Sequence, residues 1–376
     1  MSKPLRIAVL GTRGIPDVMG GVETHCQELF PRIVAHGHKV TLFGRSPYLA
    51  LKVPYEYRGI KIIPLWAPKK KSLEAILQTL LGVLYVVKHR DQFDLLHIHA
   101  IGPALLVPVA RLFGIPVVIT HHGPDYDRQK WGKLAKSVLR LGESLGCRFS
   151  DAVITVSRHI ALLVEANFNC KATYIPNGVN LPDIVPAGDM LERHSLIAFK
   201  YILAVGRFVP EKGFHDLLRA YSACRTDWKL VIAGDADHED DYSRGIKTLA
   251  AKDPRVVLTG FIRGDDLAEV LTNAGLFILP SYHEGLPIAL LEAISYNIPI
   301  LVSDIPANME LADPIETFPV GNVHLLSEMI MQQTTSVTKE ALARYRLDHE
   351  FNWDVVAAAT EKVYCDVLGR TNSKSG

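Results

Sequence analysis

Cysteine is scarce: five residues, Cys26, Cys147, Cys170, Cys224 and Cys365, are scattered through a chain of 376, with no Cys-x-x-Cys pair. That spacing excludes a cysteine-built zinc site and fits a reduced cytoplasmic setting. Long apolar runs are missing as well. The longest, residues 75–87, is interrupted by Gln78 and Thr79 and falls short of the roughly 20 residues a membrane span needs. At the N-terminus only the short run Ile7 to Leu10 follows Arg6. It has no longer apolar region and no small-residue cleavage site, so export is not expected. Net charge is close to zero, at +1, and no nucleic-acid partner is expected.

What the chain does contain is ordinary globular material, 48% apolar and 22% charged, at a length that suggests two domains. The small net charge conceals an asymmetry. Residues 1–180 hold 23 Lys and Arg against 12 Asp and Glu, and the remainder 18 against 28, so the halves carry +11 and −10. Such a split suits either attraction of the first half to an anionic surface or two halves that complement each other across a cleft.

Short β-branched runs alternate with longer amphipathic segments, the signature of βαβ units and parallel sheets. The rhythm occurs twice. Strands are expected over residues 6–10, 39–43, 61–65, 95–97, 116–120, 152–156 and 173–175, then over 201–205, 229–233, 256–259, 276–279 and 299–302. Between the two sets, Pro176-Asn177-Gly178 through Pro182 is a cluster of turn formers suited to a linker. After about residue 320 helical periodicity takes over. The fold class is therefore α/β, two doubly wound domains. Ligands of such sheets bind at the carboxyl ends of the strands, so the expected site is an interdomain cleft.

Several loops that follow strands carry polar residues suited to chemistry. Gly11-Thr12-Arg13-Gly14 fails the dinucleotide fingerprint, because Arg13 stands where a glycine is needed and no acidic residue closes the second strand. Gly20-Gly21-Val22-Glu23 opens an amphipathic helix, where bare backbone N–H groups let a phosphate approach; an ordinary glycine-rich loop reads the same way. Thr120-His121-His122-Gly123-Pro124-Asp125-Tyr126-Asp127 follows an apolar strand, which points its polar residues toward the cleft. The two aspartates there suit a metal or a turn equally, and no zinc-type cysteine pair or His-Glu-x-x-His helix accompanies them. His97 and His99 line the same cleft or are half-buried surface residues. Asp235-Ala236-Asp237 reads preferably as a solvated acidic loop. Arg207 and Lys212 can converge across a turn on one polyanion, the guanidinium through paired hydrogen bonds and the ammonium as a point charge. Glu284, in a Gly/Pro turn, and Glu292, about a turn and a half into the following helix, suit a polyhydroxyl ligand whose phosphate takes the helix N-terminus.

Together these segments resemble the retaining nucleotide-sugar glycosyltransferases of family four, which have the two-domain GT-B fold. Glu284 and Glu292 match the family's Glu-x7-Glu element, and Arg207 with Lys212 its basic pair. The resemblance implies that Glu284, with Gly285 and Leu286 beside it, binds the donor sugar, Glu292 the ribose, and Arg207 and Lys212 the diphosphate. Gly20 and Gly21 would lie beside that diphosphate and the acceptor. A histidine two residues after a strand-end threonine touches the sugar near its reacting carbon, which maps onto His122. The residues implied in catalysis are His122, Glu284, Arg207 and Lys212. The stretch from Gly11 to Glu23 with Thr120 to Gly123 is similar to bacterial members that build cell-surface polysaccharides, rhamnosyltransferase-like ones included.

On this resemblance residues 1–182 form an acceptor-binding domain and 183–352 a nucleotide-sugar-binding domain, with a helix and tail over 353–376 crossing back to the first. The reaction needs no metal and no cofactor beyond the donor. It proceeds by front-face displacement, the departing diphosphate helping to deprotonate the acceptor, a saccharide or lipid-linked saccharide. The protein is expected in the cytoplasm. The Lys69-Lys70-Lys71 cluster and the helix from Leu73 to Val87 either hold it on an anionic inner membrane face or form a solvated turn and a core helix. A nucleotide-sugar epimerase of the same architecture and a non-catalytic sugar-nucleotide-binding partner are the alternatives.

Overall fold

Strands that pair in parallel need a crossover of a dozen or more residues, which a helix supplies, and this chain provides one between most of its strands. A computed structural model describes residues 3–68, 74–127, 132–311, 315–335, 347 and 349–374. Two compact units emerge: Met1–Gly178 with His349–Gly376, and Val179–Asp348. The first contains β1 (Arg6–Leu10), α1 (Gly21–Ala35), β2 (Lys39–Arg45), β3 (Tyr55–Tyr57), β4 (Ile60–Leu65), α2 (Glu74–Lys88), β5 (Leu95–His99), α3 (Val107–Leu112), β6 (Val117–His121), α4 (Lys133–Phe149), β7 (Ala152–Thr155), α5 (Arg158–Phe168) and β8 (Ala172–Tyr174). Its sheet runs β3-β4-β2-β1-β5-β6-β7-β8, parallel except for the β3–β4 pair. Sequence periodicity missed β3, a three-residue edge strand returned by the two-residue turn Arg58-Gly59, where both φ angles are positive.

The second unit contains α6 (Asp189–Arg193), β9 (Tyr201–Val205), α7 (Phe214–Ser222), β10 (Lys229–Ala233), α8 (Asp241–Ala250), β11 (Val256–Gly260), α9 (Asp265–Thr272), β12 (Leu276–Leu279), α10 (Ile288–Ser295), β13 (Ile300–Ser303), α11 (Pro306–Met309), β14 (Glu316–Phe318) and α12 (Val323–Thr335). Its sheet is wholly parallel, in the order β11-β10-β9-β12-β13-β14. Side chains alternate across a strand. Ile202, Ala204, Leu230, Ile232 and Ile278 accordingly enter one core with α7 and α12. Tyr201, Leu203, Val231, Phe277 and Leu279 enter another with α9 and α10. Helices cover both faces, so the strands read as continuous apolar runs rather than alternating ones.

The last helix, α13 (Trp353–Lys374), belongs to the first unit and packs on α1. Trp353, Val356, Ala357 and Tyr364 are buried there, and Arg32 pairs with Asp354 at 2.8 Å. His36 contacts Glu361 at 2.7 Å. Residues 69–73, which include the expected lysine cluster, lie outside the described residues. The helix that follows them, α2, buries Gln78, Thr79, Val83 and Val86. A Cβ placed on Gly82 would stand 2.2 Å from the Leu10 side chain, so α2 lies directly against the sheet as a core helix. Among the described residues no helix is long and apolar enough to cross a membrane.

Backbone approaches at Gly213 and Gly234 of the second unit admit glycine alone. At Gly213, φ is +68° and a Cβ would meet the Pro280 carbonyl oxygen at 2.0 Å. Gly245, in the exposed interior of α8, has nothing within 4 Å of its Cβ position. Gly213→Ala is expected to destabilise the second unit by about 3 kcal/mol, and Gly245→Ala to stabilise it by about 1 kcal/mol. Urea unfolding of the full chain checks both; equal and small shifts would mean that the Gly213–Pro280 approach is not a constraint.

Candidate active site

In the second sheet strand order reverses beside β9, whose neighbours are β10 and β12. The loops leaving these three strands therefore meet at one carboxyl edge, the place where open α/β sheets bind ligands. After β9 the chain carries Arg207 and then a single tight turn, Pro210–Lys212. The turn is locked to the loop after β12: Tyr282 N–H donates to the Glu211 carbonyl at 2.8 Å, alongside the Gly213–Pro280 approach. This places Lys212 Nζ 2.6 Å from Glu284 Oε1, which also accepts from Ser281 Oγ at 2.6 Å. Arg207 Nη1 donates to Asp237 Oδ2 at 2.8 Å. Phe208 N–H donates to the Asp235 carbonyl at 2.9 Å, fastening the β10 loop to the β9 loop. All four charged side chains are mostly covered, with side-chain exposures between 11% and 19%. Helix α10 begins at Ile288 with Pro287 as its N-cap, one residue later than the sequence suggests. Glu292 lies in its second turn and is half-buried, as are Glu284 and Gly285, while Leu286 is buried.

The first sheet reverses beside β1, between β2 and β5. Helix α1 starts at Gly21, behind Gly20. Glu23 of its first turn folds back onto Arg13, accepting from the Arg13 backbone N–H at 2.9 Å and from its guanidinium at 3.0 Å. A Cβ on Gly20 would strike both side chains. The helix start is thus a charge-compensated loop, with a cation and an anion beside bare backbone. Nearby, buried Arg45 donates to Glu74 Oε1 at 2.9 Å, and the Tyr48 hydroxyl donates to the same carboxylate.

Beneath that loop lies a column of histidines. His97 and His99, two apart on β5, share a face and are fully buried, their ring centroids 4.2 Å apart. His97 is satisfied at both nitrogens, by the Tyr364 hydroxyl and by Thr120 Oγ1, each at 2.7 Å. His99 Nδ1 lies 3.0 Å from His122 Nε2. His25 of α1 stands edge-on to His122, centroids 4.9 Å apart, with Nδ1 held 2.9 Å from Asn177 Oδ1. Burial lowers His25 to about 4 and His97 to about 3, and pushes His99 well below the ordinary imidazole value, reinforced by its histidine neighbours. These three rings are neutral at pH 7. His121 is buried against Glu143, Nε2 to Oε1 at 2.8 Å, whereas its neighbour His122 is half-buried and reachable.

Of the residues expected to act, the second unit brings Arg207, Lys212, Glu284, Gly285, Leu286 and Glu292 to one edge, and the first brings Gly20, Gly21 and His122 to the corresponding edge of its own sheet. Two expectations are corrected. Asp237 is not a solvated loop residue but the carboxylate that holds Arg207, because β10 ends beside β9. His97 and His99 are not half-buried surface residues: α1 and α13 cover them. Sequence reasoning missed the Arg13–Glu23 pair, Ser281, and the meeting of His25 with His99 and His122. For the last, the only available signal is the two-residue spacing of His97 and His99, which puts both on one face.

Comparison with known proteins agrees with this architecture. Residues 19–182 match Glycosyltransferase Family 4, and residues 197–336 match the glycosyl transferases group 1. A UDP-Gal:alpha-D-GlcNAc-diphosphoundecaprenol alpha-1,3-galactosyltransferase of Escherichia coli is 30% identical over 69% of this chain and 67% of its own length. A putative teichuronic acid biosynthesis glycosyltransferase of Bacillus subtilis is 26% identical over 83% of the chain and 79% of its own. Among solved structures, a sucrose-phosphate synthase of Thermosynechococcus elongatus superposes with a TM-score of 0.83 at 21% identity, covering 97% of this chain and 99% of that one. The Anabaena protein HepE, in complex with UDP and glucose, gives 0.76 at 18% identity over 96% and 100%. The two parallel-sheet units are those of the GT-B fold, and the chain belongs to the family-four glycosyltransferases.

Proposed function

We propose that this glycosyltransferase moves a sugar, with retention of its anomeric configuration and without a metal, from a nucleoside diphosphate sugar to a hydroxyl of a saccharide or lipid-linked saccharide during cell-surface polysaccharide synthesis. The observation that carries the reading is the convergence of Arg207, Lys212 and Glu284 at the carboxyl edge of β9 and β12, with Lys212 and Glu284 in contact. Such a set offers two cations for a diphosphate and a carboxylate for sugar hydroxyls. Relatives named for transfer from a UDP-sugar to a diphosphoundecaprenol-linked sugar and for teichuronic acid synthesis support the substrate class.

In the reaction so proposed, the bond between the anomeric carbon and the diphosphate oxygen breaks as the acceptor oxygen bonds to the same face of that carbon. The acceptor proton passes to the departing phosphate oxygen. Arg207 and Lys212 exchange their carboxylate partners for phosphate oxygens and stabilise the charge that develops there, the largest contribution available in a site of this kind. Glu284 takes sugar hydroxyls, Gly285 and Leu286 lie beside it on the donor, and Glu292 takes the ribose. Gly20 and Gly21 let the diphosphate approach backbone N–H groups, and His122 hydrogen-bonds the sugar near its reacting carbon. The test is release of nucleoside diphosphate from a panel of UDP-, GDP-, ADP- and dTDP-sugars with a lipid-extract acceptor, in the presence and absence of chelator. Release from one donor, undiminished by chelator and about 100-fold slower in His122→Ala and Glu284→Ala proteins of unchanged circular dichroism, is expected. Wild-type rates in either variant would show the site to be misassigned; a donor interconverted with no acceptor present would point to an epimerase.

The first unit is also proposed to rest on an anionic membrane face. On α4, exposed Leu134, Leu141 and Phe149 accompany exposed Lys133, Arg140 and Arg148, the pairing of apolar and basic side chains that interfacial helices use. Sedimentation with phosphatidylglycerol vesicles is expected to capture the protein, and replacing Lys133, Arg140 and Arg148 by Glu to abolish capture. Equal sedimentation of the two proteins would remove the membrane role.

A further inference from the structure

His25, His99 and His122 come from α1, β5 and the loop after β6, so the sheet and its covering helix converge three imidazoles that lie far apart in sequence. One ring nitrogen of each falls within 4.8 Å of the other two, and the His99 Nδ1 to His122 Nε2 distance is 3.0 Å. Nitrogens sharing a tetrahedral zinc ion at 2.0–2.1 Å sit about 3.3 Å apart. One pair of the cluster is therefore close to the spacing such an ion needs, and the third nitrogen lies within 4.8 Å of both.

We propose that His25, His99 and His122 form a binding site for a divalent transition metal of the zinc type, with three protein nitrogens and a fourth position open beside His122. Two features support it. Asn177 Oδ1, 2.9 Å from His25 Nδ1, takes the proton on that nitrogen and leaves Nε2 as the ligand, the arrangement by which an outer partner orients a metal-bound imidazole. His99 Nε2 is buried without a hydrogen-bond partner, so that ring can carry its proton there and turn the Nδ1 lone pair inward. With nitrogen donors alone, the set suits zinc, cobalt, nickel or copper and not magnesium or calcium, which take oxygen ligands. A metal held there occupies the His122 ring that the proposed reaction offers to the sugar. It would act as an inhibitor rather than a cofactor.

Titration of the full chain with Co2+ tests the site directly, because a cobalt ion in a tetrahedral nitrogen site develops visible absorption. One equivalent is expected to bind, to be displaced by Zn2+ and not by Mg2+, and to bind at least 100-fold more weakly to His122→Ala, whose side chain is half-buried, and to His25→Gln. Competition against a chromophoric zinc chelator gives the affinity independently of activity. Absence of a saturating cobalt spectrum in the wild-type protein, or equal zinc affinity in wild type and His122→Ala, would overturn the proposal.

Discussion

A parallel sheet in which strand order reverses beside its first strand constrains everything else in each unit. Connections on the two sides of the reversal leave in opposite directions, so the loops at that point diverge and open the carboxyl edge. In the second unit this brings together residues from three strands: Arg207 after β9, Asp237 after β10 and Glu284 after β12. In the first it brings Arg13 after β1 and His99 at the end of β5, with His122 one strand further along. No single segment contains a site. Each loop carries one or two functional side chains, and the sheet register aligns them.

The cations at these edges are pre-positioned rather than loose. Arg13, Arg207 and Lys212 each engage a carboxylate within 3.0 Å. In such covered positions a lone charge is costly, and removal of one partner costs more than the pair contributes. The carboxylates therefore hold the basic side chains in place and neutralise them, and on the proposed function a more highly charged anion would compete for them. A diphosphate, with more acceptor oxygens and a larger charge than a carboxylate, is an anion able to do so. Glu284 holds Lys212, and on the proposed function the same carboxylate, once released, would accept hydrogen bonds from hydroxyl groups. Ser281 donates to the same oxygen and so helps to fix the direction of that carboxylate.

Much of this was legible in the sequence because the relevant signals are local. Short runs of three to five residues, rich in apolar and β-branched side chains and alternating with amphipathic segments, marked twelve of the strands. A proline at the mouth of a helix, after a turn containing Glu284, marked the start of α10 to within one residue. What escaped was set by distant segments. Asp237 looked like any acidic loop residue, since only the adjacency of β10 and β9 gives it Arg207 as a partner. His97 and His99 were visibly on one face of β5, yet whether that face meets solvent depends on α13, more than 250 residues later. The edge strand β3 was too short, and too polar at Glu56, to show a period. The apolar helix α2 could have faced lipid on composition alone; its glycine against Leu10 is what fixes it to the sheet.

The proposed donor site depends on Arg207 and Lys212 being the diphosphate-binding pair, and calorimetric titration with nucleoside diphosphates and with the corresponding nucleosides measures that directly. Charged hydrogen bonds of this kind contribute about 1.5–3 kcal/mol each. Arg207→Met and Lys212→Met are each expected to weaken the preferred nucleoside diphosphate by about 10- to 100-fold, while nucleoside affinity stays as in the wild-type protein. Diphosphate affinity unchanged in both variants would contradict the assignment of the pair and, with it, the donor site built around β9 and β12.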